Sequence, residues 1–150
     1  GFCLVGSEMC IRDRYIDELI NEKKIEPKPY LDEDITFHDP CYLGRHNGEY
    51  DAPRKVLQSV LKEGSIKEME QSKSDSFCCG AGGGNMWYEV KTGERINRHR
   101  VNQAVDTEAK TIAAACNFCN IMLEDGVKTT GNEENIRVVD IAEMVSKGLE

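Results

Sequence analysis

Five cysteines in the 150-residue sequence fall into three groups whose spacing is typical of metal ligands. Cys41 stands alone, Cys78 and Cys79 are adjacent, and Cys116 and Cys119 form a CxxC pair. The whole sequence holds seven cysteines, and an odd number with an adjacent pair and a CxxC makes a poor disulfide framework. The pattern therefore predicts reduced thiolates, as expected in the cytoplasm.

The residues alone leave several kinds of cysteine chemistry open. Buried free cysteines can act as small apolar residues, although an adjacent pair and a CxxC would be an odd way to fill a core. A thioredoxin-like dithiol would use only Cys116 and Cys119 and would leave three thiols without a role. Structural zinc takes four thiolates or imidazoles, and His38 and His46 lie close to Cys41 in the sequence.

An iron–sulfur cluster explains the pattern better than a single ion does. Thiolate is its usual ligand, and a group several ångströms across needs ligands from several chain segments. Cys78 and Cys79 cannot both point at one small ion without strain, but they can reach different iron atoms of a larger cluster. Five thiolates exceed the four of an ordinary cubane, which suggests an unusual cluster with a bridging or exchangeable thiolate.

Residues beside the cysteines are candidates for tuning such a centre. Glycines after Cys79 let the backbone come close and direct N–H groups at anionic sulfur. The same glycines do not form a nucleotide-binding loop, because GAGGGN lacks the third glycine of GxGxxG and no GK[ST] follows. Each histidine near Cys41 is interpreted either as a turn residue held by hydrogen bonds or as a group that delivers protons or tunes the cluster, and an arginine lies beside them. The candidates in these two groups are Gly80, Gly82, Gly83, His38, Arg45 and His46.

Two further features lie near the glycine-rich loop. Met86 and Trp87 are predicted to form a hydrophobic cover that excludes water from the metal centre. A basic patch follows, which we interpret as a solvated face, a balance for negative charge, or a docking surface for an acidic partner. The basic patch consists of Arg95, Arg98, His99 and Arg100.

Alternating strand and helix patterns predict the α/β fold that positions these residues. We expect a small parallel sheet of about four strands flanked by helices, with the cysteine site at the carboxyl ends of the strands, where ligands bind in open α/β sheets. The predicted elements are helix 15–24, strand 35–41, helix 51–63 with Asp51 as N-cap, weak strand 66–70, helix 93–110, strand 111–116, helix 117–131, strand 136–141 and helix 142–150.

The amino-acid composition excludes some classes of binding partner. The formal net charge is −8 and the pI is near 5.0, so most of the surface would repel nucleic acid. The longest apolar runs are far shorter than the roughly 20 residues that span a bilayer. We therefore predict no nucleic-acid partner and no direct membrane span in this sequence.

The cysteine motifs carry a family resemblance. Cys41, CysCysGly at 78–80 and CysAsnPheCys at 116–119 resemble the cysteine-rich CCG domain of the heterodisulfide reductase catalytic subunit and its relatives in lactate, glycolate and glycerol-3-phosphate oxidation. HDPCYLGRHNGEYDAPRKVL and FCCGAGGGNMW look particularly like membrane-bound iron–sulfur oxidoreductases that link electron-transfer flavoprotein to quinone. The resemblance covers about residues 30–149.

The resemblance implies a function and a ligand set. Cys41, Cys78, Cys79, Cys116 and Cys119 would bind a noncubane 4Fe-4S cluster, and the domain would transfer electrons with other iron–sulfur or flavoprotein subunits or domains. Some relatives carry zinc in one of two CCG motifs, so a zinc-binding structural or assembly module is the alternative. A cytoplasmic location follows, at the inner face of the membrane if upstream segments anchor the protein there.

The start of the sequence is predicted to differ in origin from the rest. Residues 1–14, GFCLVGSEMCIRDR, resemble a translated sequencing adapter, so we expect a non-native leader there and exclude Cys3 and Cys10 from the site. Residues 15–29 would be a helix and linker from a truncated upstream region, and residues 30–150 the cysteine-rich domain. Relatives commonly carry two CCG motifs and a ferredoxin-like domain, whereas this sequence has one motif, so a C-terminal fragment is expected.

Overall fold

Four parallel strands form one sheet, as the sequence predicts. The computed structural model describes residues 4–88 and 93–150, with side chains from residue 11 onward, so Cys3 and the side chain of Cys10 lie outside the described part. The strands are β1 (Ile35–His38), β2 (Ile66–Lys67), β3 (Thr111–Ala114) and β4 (Arg137–Asp140). Their order across the sheet is β2–β1–β3–β4, and every neighbouring pair is parallel.

Helices cover both faces of this sheet. The helices are α1 (Leu4–Asn21), α2 (Asp51–Val60), α3 (Ile96–Val105), α4 (Asn117–Thr129) and α5 (Ile141–Gly148). Shorter helical turns occupy Tyr42–His46, Lys73–Asp75 and Gly82–Trp87. The predicted α/β architecture is confirmed.

The core is divided between the two faces because alternate residues of a strand point in opposite directions. On β3, Ala113 packs with buried residues of α2 and α5, whereas Ile112 and Ala114 pack with buried residues of α3 and α4. The buried residues of β1 and β3 are consistent with central strands covered on both sides.

Helix α2 begins with a cap that differs from the predicted one. Asp51 is the first helical residue rather than the N-cap, and Tyr50 occupies the cap position without a side-chain hydrogen bond. Glu49 supplies the missing acceptor, since its Oε1 accepts hydrogen bonds from the backbone N–H groups of Ala52 at 3.0 Å and Asp51 at 3.3 Å. A carboxylate there also interacts favourably with the helix dipole.

Helix α1 begins at Leu4 and not near residue 15, where the sequence pattern indicated. It includes most of the segment predicted to be a leader. Arg12 donates hydrogen bonds from Nη1 to Asp140 and from Nη2 to the Ala115 carbonyl, both at 3.3 Å. The assignment of residues 1–14 as a non-native leader stays a prediction.

Across the described ranges, the helices are too short or too polar for any of them to cross a bilayer.

Candidate metal centre

The cysteines follow the carboxyl ends of two neighbouring strands. Strands β1 and β3 are paired so that His38 lies opposite Ala114, the last residue of each strand. Cys41 comes three residues after His38, and Cys116 comes two residues after Ala114, at the N-cap of α4. The two strands were expected to extend to these cysteines and instead end just before them. Both cysteines nevertheless lie at the predicted edge of the sheet.

All five candidate cysteines line one cavity of about 360 Å³. They are free thiols: Cys79 and Cys119 are buried, Cys78 and Cys116 are half-buried, and Cys41 is exposed. The cavity walls also include His38, Asp39, Arg45, Ser76, Phe77, Met86 and Phe118. The structure thus brings together thiols from three distant segments.

Because the thiols lie close together, hydrogen bonds between them lower the pKa of some and raise the pKa of others. Hydrogen bonds from Cys119 and Cys78 hold the pKa of Cys79 far below the usual range of a thiol. Cys116 shares the single Cys119 S–H with Cys79, and this interaction lowers the pKa of Cys116 to about 7. The donors show the opposite effect, since hydrogen bonding and burial raise the pKa values of Cys78 and Cys119. Cys79 is therefore the thiolate that its neighbours stabilise most.

The glycine-rich loop directs a backbone donor at sulfur. The Gly80 N–H donates to Cys78 Sγ at 3.2 Å. The backbone of Gly80 and Gly82 acts to lower the pKa of Cys78, against the larger effects of Cys79 and of burial, which raise it. Gly80 has φ of +95°, and a Cβ there would lie 3.3 Å from both the Asn97 nitrogen and Met122 Cε. Close approach of this turn to α3 and α4 thus requires glycine. Gly83 also has positive φ, but it is not among the residues that line the cavity.

His38 lies inside the site. One of its ring nitrogens and the sulfurs of Cys79 and Cys119 all lie within 4.8 Å of one another, and all three residues are buried. Burial lowers the pKa of His38, and the nearby charge of Arg100 lowers it further, so the ring is held neutral.

The other two candidates near Cys41 have different positions. Arg45 lines the cavity, and its Nη2 donates to the Ser76 carbonyl at 2.7 Å, which ties the loop after β1 to the segment before Cys78. His46 is exposed, does not line the cavity, and packs its ring against Tyr42 with centroids 4.8 Å apart.

Arg100 is not on the surface with the rest of the basic patch, so a solvated face or a docking surface is wrong for this residue, whereas its position near Cys79 is compatible with a balance for negative charge. Its side chain is fully buried, and its Nε donates to His38 Nδ1 at 3.0 Å. Arg95, Arg98 and His99 are the part of the patch at or near the surface: His99 is exposed, and Arg95 and Arg98 contact Asp125 and Thr129. A sequence signal for this exists, because Arg100 lies four residues before the buried Ala104 and so on the same helical stripe.

The sequence did not predict an ion network beside the site, in which Arg54 and Asp39 are buried and Glu68 is exposed. Arg54 donates two hydrogen bonds to Asp39 at 2.8 and 2.9 Å and two to Glu68 at 2.6 and 2.8 Å. Asp39 Oδ2 also accepts from the Lys73 N–H at 2.8 Å. Asp39 precedes Cys41 by two residues, so this network fixes the start of the cysteine-bearing loop.

The predicted hydrophobic cover is only partly formed. Met86 and Trp87 both line the cavity, but Trp87 is 85% exposed. It is therefore an exposed rim residue and not a lid that shields the thiols from water.

The donor set fits an iron–sulfur centre. Sulfur is the preferred ligand atom of such clusters, and here five sulfurs face one cavity whose other walls are mainly apolar. Backbone N–H groups aimed at sulfur, as at Gly80, are the kind of contact that tunes a cluster's potential.

Comparison with known proteins identifies relatives over most of the chain. The probable iron-sulfur-binding oxidoreductase FadF of Bacillus subtilis is 42% identical over 132 residues, which are 88% of this chain and 19% of that protein. The EtfAB:quinone oxidoreductase of Syntrophomonas wolfei is 43% identical over 140 residues, 89% of this chain and 19% of that protein. One subunit of the dihydromethanophenazine:CoB--CoM heterodisulfide reductase of Methanosarcina barkeri is 38% identical over 136 residues, 91% of this chain and 32% of that protein.

These relatives are much longer than the aligned region, since the chain spans 19% of the first two and 32% of the third. The family match is narrower and covers residues 35–124, from the start of β1 into α4. Those residues contain every one of the five cysteines in the cavity. The chain therefore belongs to the CCG family of cysteine-rich domains.

Proposed function

We propose that this chain binds an iron–sulfur cluster and serves as an electron-transfer domain of an oxidoreductase subunit. The main observation in support of this proposal is that five free cysteines converge on one cavity at the carboxyl ends of β1 and β3. Two of the relatives have names that describe oxidoreductases, and one of them is named as iron-sulfur-binding. When bound, such a cluster supplies one-electron reduction and oxidation.

The cluster in this proposal is a noncubane 4Fe-4S cluster held by Cys41, Cys78, Cys79, Cys116 and Cys119. Its support is the count of five sulfurs where a cubane needs four, together with the adjacent pair that suits two different iron atoms. The low pKa of Cys79 favours ligation, because the ligand form of cysteine is the thiolate. The buried position of Cys79 and Cys119 keeps two of the ligands away from water.

The partners in this proposal are other iron–sulfur or flavoprotein subunits or domains. Support comes from the names of two relatives, a heterodisulfide reductase subunit and an EtfAB:quinone oxidoreductase, each far longer than the region that this chain matches. A cytoplasmic location, at the inner face of the membrane if upstream segments anchor the protein there, fits exchange of electrons with the quinone that one relative's name includes. The electron donor and acceptor are thus proposed by class.

Zinc is the second candidate because one local observation favours it. His38, Cys79 and Cys119 form a buried group with three potential ligand atoms within 4.8 Å of one another, and zinc uses both imidazole and thiolate. A zinc-bearing domain would be a structural or assembly module with no electron transfer of its own.

Metal content decides between these functions. The chain is purified without oxygen, and its iron, acid-labile sulfide and zinc are measured with its visible absorption and its paramagnetic resonance after reduction. A brown protein with iron and sulfide supports the proposal, and a colourless protein with stoichiometric zinc contradicts it.

Two cysteine variants provide a matched comparison. Cys79→Ser should lose most bound iron, because serine cannot supply the stabilised thiolate. Cys10→Ser makes the same chemical change in the segment excluded from the site and should retain the iron. Equal loss in both variants would contradict the assigned ligand set.

A further inference from the structure

The hydrogen bond between Arg100 and His38 has only one possible direction. A guanidinium carries N–H donors and no acceptor, so Arg100 Nε donates and His38 Nδ1 accepts, at 3.0 Å. A neutral imidazole that accepts at Nδ1 carries its proton on Nε2. Nε2 is therefore a donor, and it is the ring nitrogen left for the sulfurs of Cys79 and Cys119.

This arrangement is the reverse of that expected for a metal-bound histidine. Such a histidine coordinates through an unprotonated nitrogen and donates its other ring N–H to an acceptor. In His38 the nitrogen away from the sulfurs is an acceptor, so coordination through Nε2 would put two unprotonated nitrogens on one ring. The contact with Arg100 thus disfavours His38 as a ligand.

We propose that Arg100 is a positioning residue that holds His38 with its Nε2–H directed at the sulfur of Cys79. His38 is then a hydrogen-bond donor to the metal centre and not one of its ligands. The redox consequence of this arrangement rests on the function proposed above, whereas the orientation of the ring does not.

Packing fixes the direction of Arg100. Its Nη1 donates to the Gln71 carbonyl and to Gln103 Oε1, both at 2.7 Å, and Nη2 donates to Ser76 Oγ at 3.3 Å. Gln103 is held in turn by a 2.7 Å hydrogen bond to Gln71 Oε1. A reversed His38 ring would present a carbon to Arg100 and leave a buried N–H without an acceptor, so one ring orientation is strongly favoured.

The charge of Arg100 is not neutralised by a direct ion pair. Its hydrogen-bond acceptors are neutral, and none of the ion pairs between described residues includes it. Although burial lowers its pKa to about 10, the nearby charges of Asp39 and Cys79 act to raise it. Arg100 therefore contributes positive potential at the sulfurs. Both this charge and the His38 N–H stabilise the more negative, reduced state of a bound cluster.

Nitrogen NMR of the cluster-free chain tests the orientation. The sequence contains three histidines, so ring-labelled protein gives few signals, and His38→Gln identifies the one that belongs to His38. We expect a proton on Nε2 and an unprotonated, hydrogen-bonded Nδ1. A proton on Nδ1 of His38 would overturn the proposal.

Reduction potentials of the cluster-loaded chain test the consequence. His38→Leu should shift the potential to a more negative value, whereas His38→Gln should stay nearer to the parent because its amide can accept from Arg100 and donate to sulfur. Arg100→Gln should also shift the potential negatively, and Arg98→Gln, the same charge change on the same helix, should not. An unchanged potential in His38→Leu would refute the donor role.

The two proposals fail in different ways. A parent chain that binds no iron contradicts the iron–sulfur function, but the NMR measurement still determines the His38 orientation. If the chain binds zinc instead, we expect its X-ray absorption spectrum to show sulfur ligands and no imidazole ligand. An imidazole ligand that is present in the parent and absent in His38→Leu would overturn the inference. If Arg100→Gln does not fold, the two His38 variants carry the test.

Discussion

Removal of the Arg54 guanidinium is expected to destabilise the protein through one buried carboxylate. The Asp39 side chain is 2% exposed, and Arg54 supplies two of its hydrogen bonds. In Arg54→Met, the Lys73 N–H remains as a donor, but the positive charge is lost. Removal of one partner from a buried ion pair typically costs about 3–5 kcal/mol, because the other charge stays buried without compensation.

The second partner of Arg54 adds little to this cost. Glu68 has a side chain that is 36% exposed, so water can replace the lost hydrogen bonds, and exposed pairs are worth about 0–1 kcal/mol. The loss should therefore be dominated by Asp39. For a chain of this size, about 2–4 °C of melting temperature per kcal/mol gives a decrease of about 6–20 °C.

Urea unfolding of the cluster-free chain measures the effect, with Lys62→Met as the control. Lys62 pairs with Asp32 at 3.4 Å, but the two side chains are 56% and 57% exposed, so its loss should change the free energy of unfolding by no more than about 0.5 kcal/mol. Asp39→Asn combined with Arg54→Met should recover part of the stability, because the unpaired charge is then absent. If Arg54→Met is no more destabilised than the control, the argument from buried charge is wrong.

Three further predictions follow from other buried contacts. Burial raises the pKa of Asp13 to about 6, so ionisation of Asp13 opposes folding as the pH rises from about 4 through 6. The variant Asp13→Asn should have the same free energy of unfolding as the parent at pH 4. At pH 7 its free energy of unfolding should be higher than that of the parent by on the order of 2–3 kcal/mol. Gly126→Ala should lower the free energy of unfolding in urea by about 1–3 kcal/mol, because the new Cβ would lie 2.7 Å from Val101 Cγ2. The control Gly131→Ala has φ of +70° but no atom within 4 Å of its new Cβ, so it should lower this free energy by only about 1 kcal/mol. Gly80→Ala combines φ of +95° with two contacts at 3.3 Å, so it should lower both thermal stability and iron retention, and full retention of both would contradict the role given to that turn.

The fold could be predicted because its signals are local. Apolar periodicity defines α2 and α4, short apolar runs define β1 and β3, and their alternation implies a parallel sheet. Convergence of the cysteines then follows from topology, since Cys41 and Cys116 come just after neighbouring parallel strands. The predicted start of α1 was wrong because the first turns of this helix show no clear apolar periodicity.

The polar contacts around the site could not be predicted in the same way. Arg100 and His38 are 62 residues apart, and Arg54 and Asp39 are 15 apart, so neither pair has a local spacing signal. Charged residues are seldom fully buried, which made the surface the reasonable expectation for Arg100. The helical spacing between Arg100 and Ala104 is a weak local signal, and tertiary packing decides which arginine of the patch turns inward.

The two buried arginines beside the site therefore have different electrostatic roles. Arg54 lies between two carboxylates, Asp39 and Glu68, so its field is largely cancelled close to its source. Within the described part of the chain, Arg100 donates to neutral acceptors, and its charge remains effective at Cys79 and Cys119. The chain has a formal net charge of −8, so a further negative charge beside the Cys79 thiolate would be unfavourable without such a nearby cation. Substitution of Arg100 should thus affect the stability of negative charge in the cavity, whereas substitution of Arg54 should affect mainly the stability of the fold.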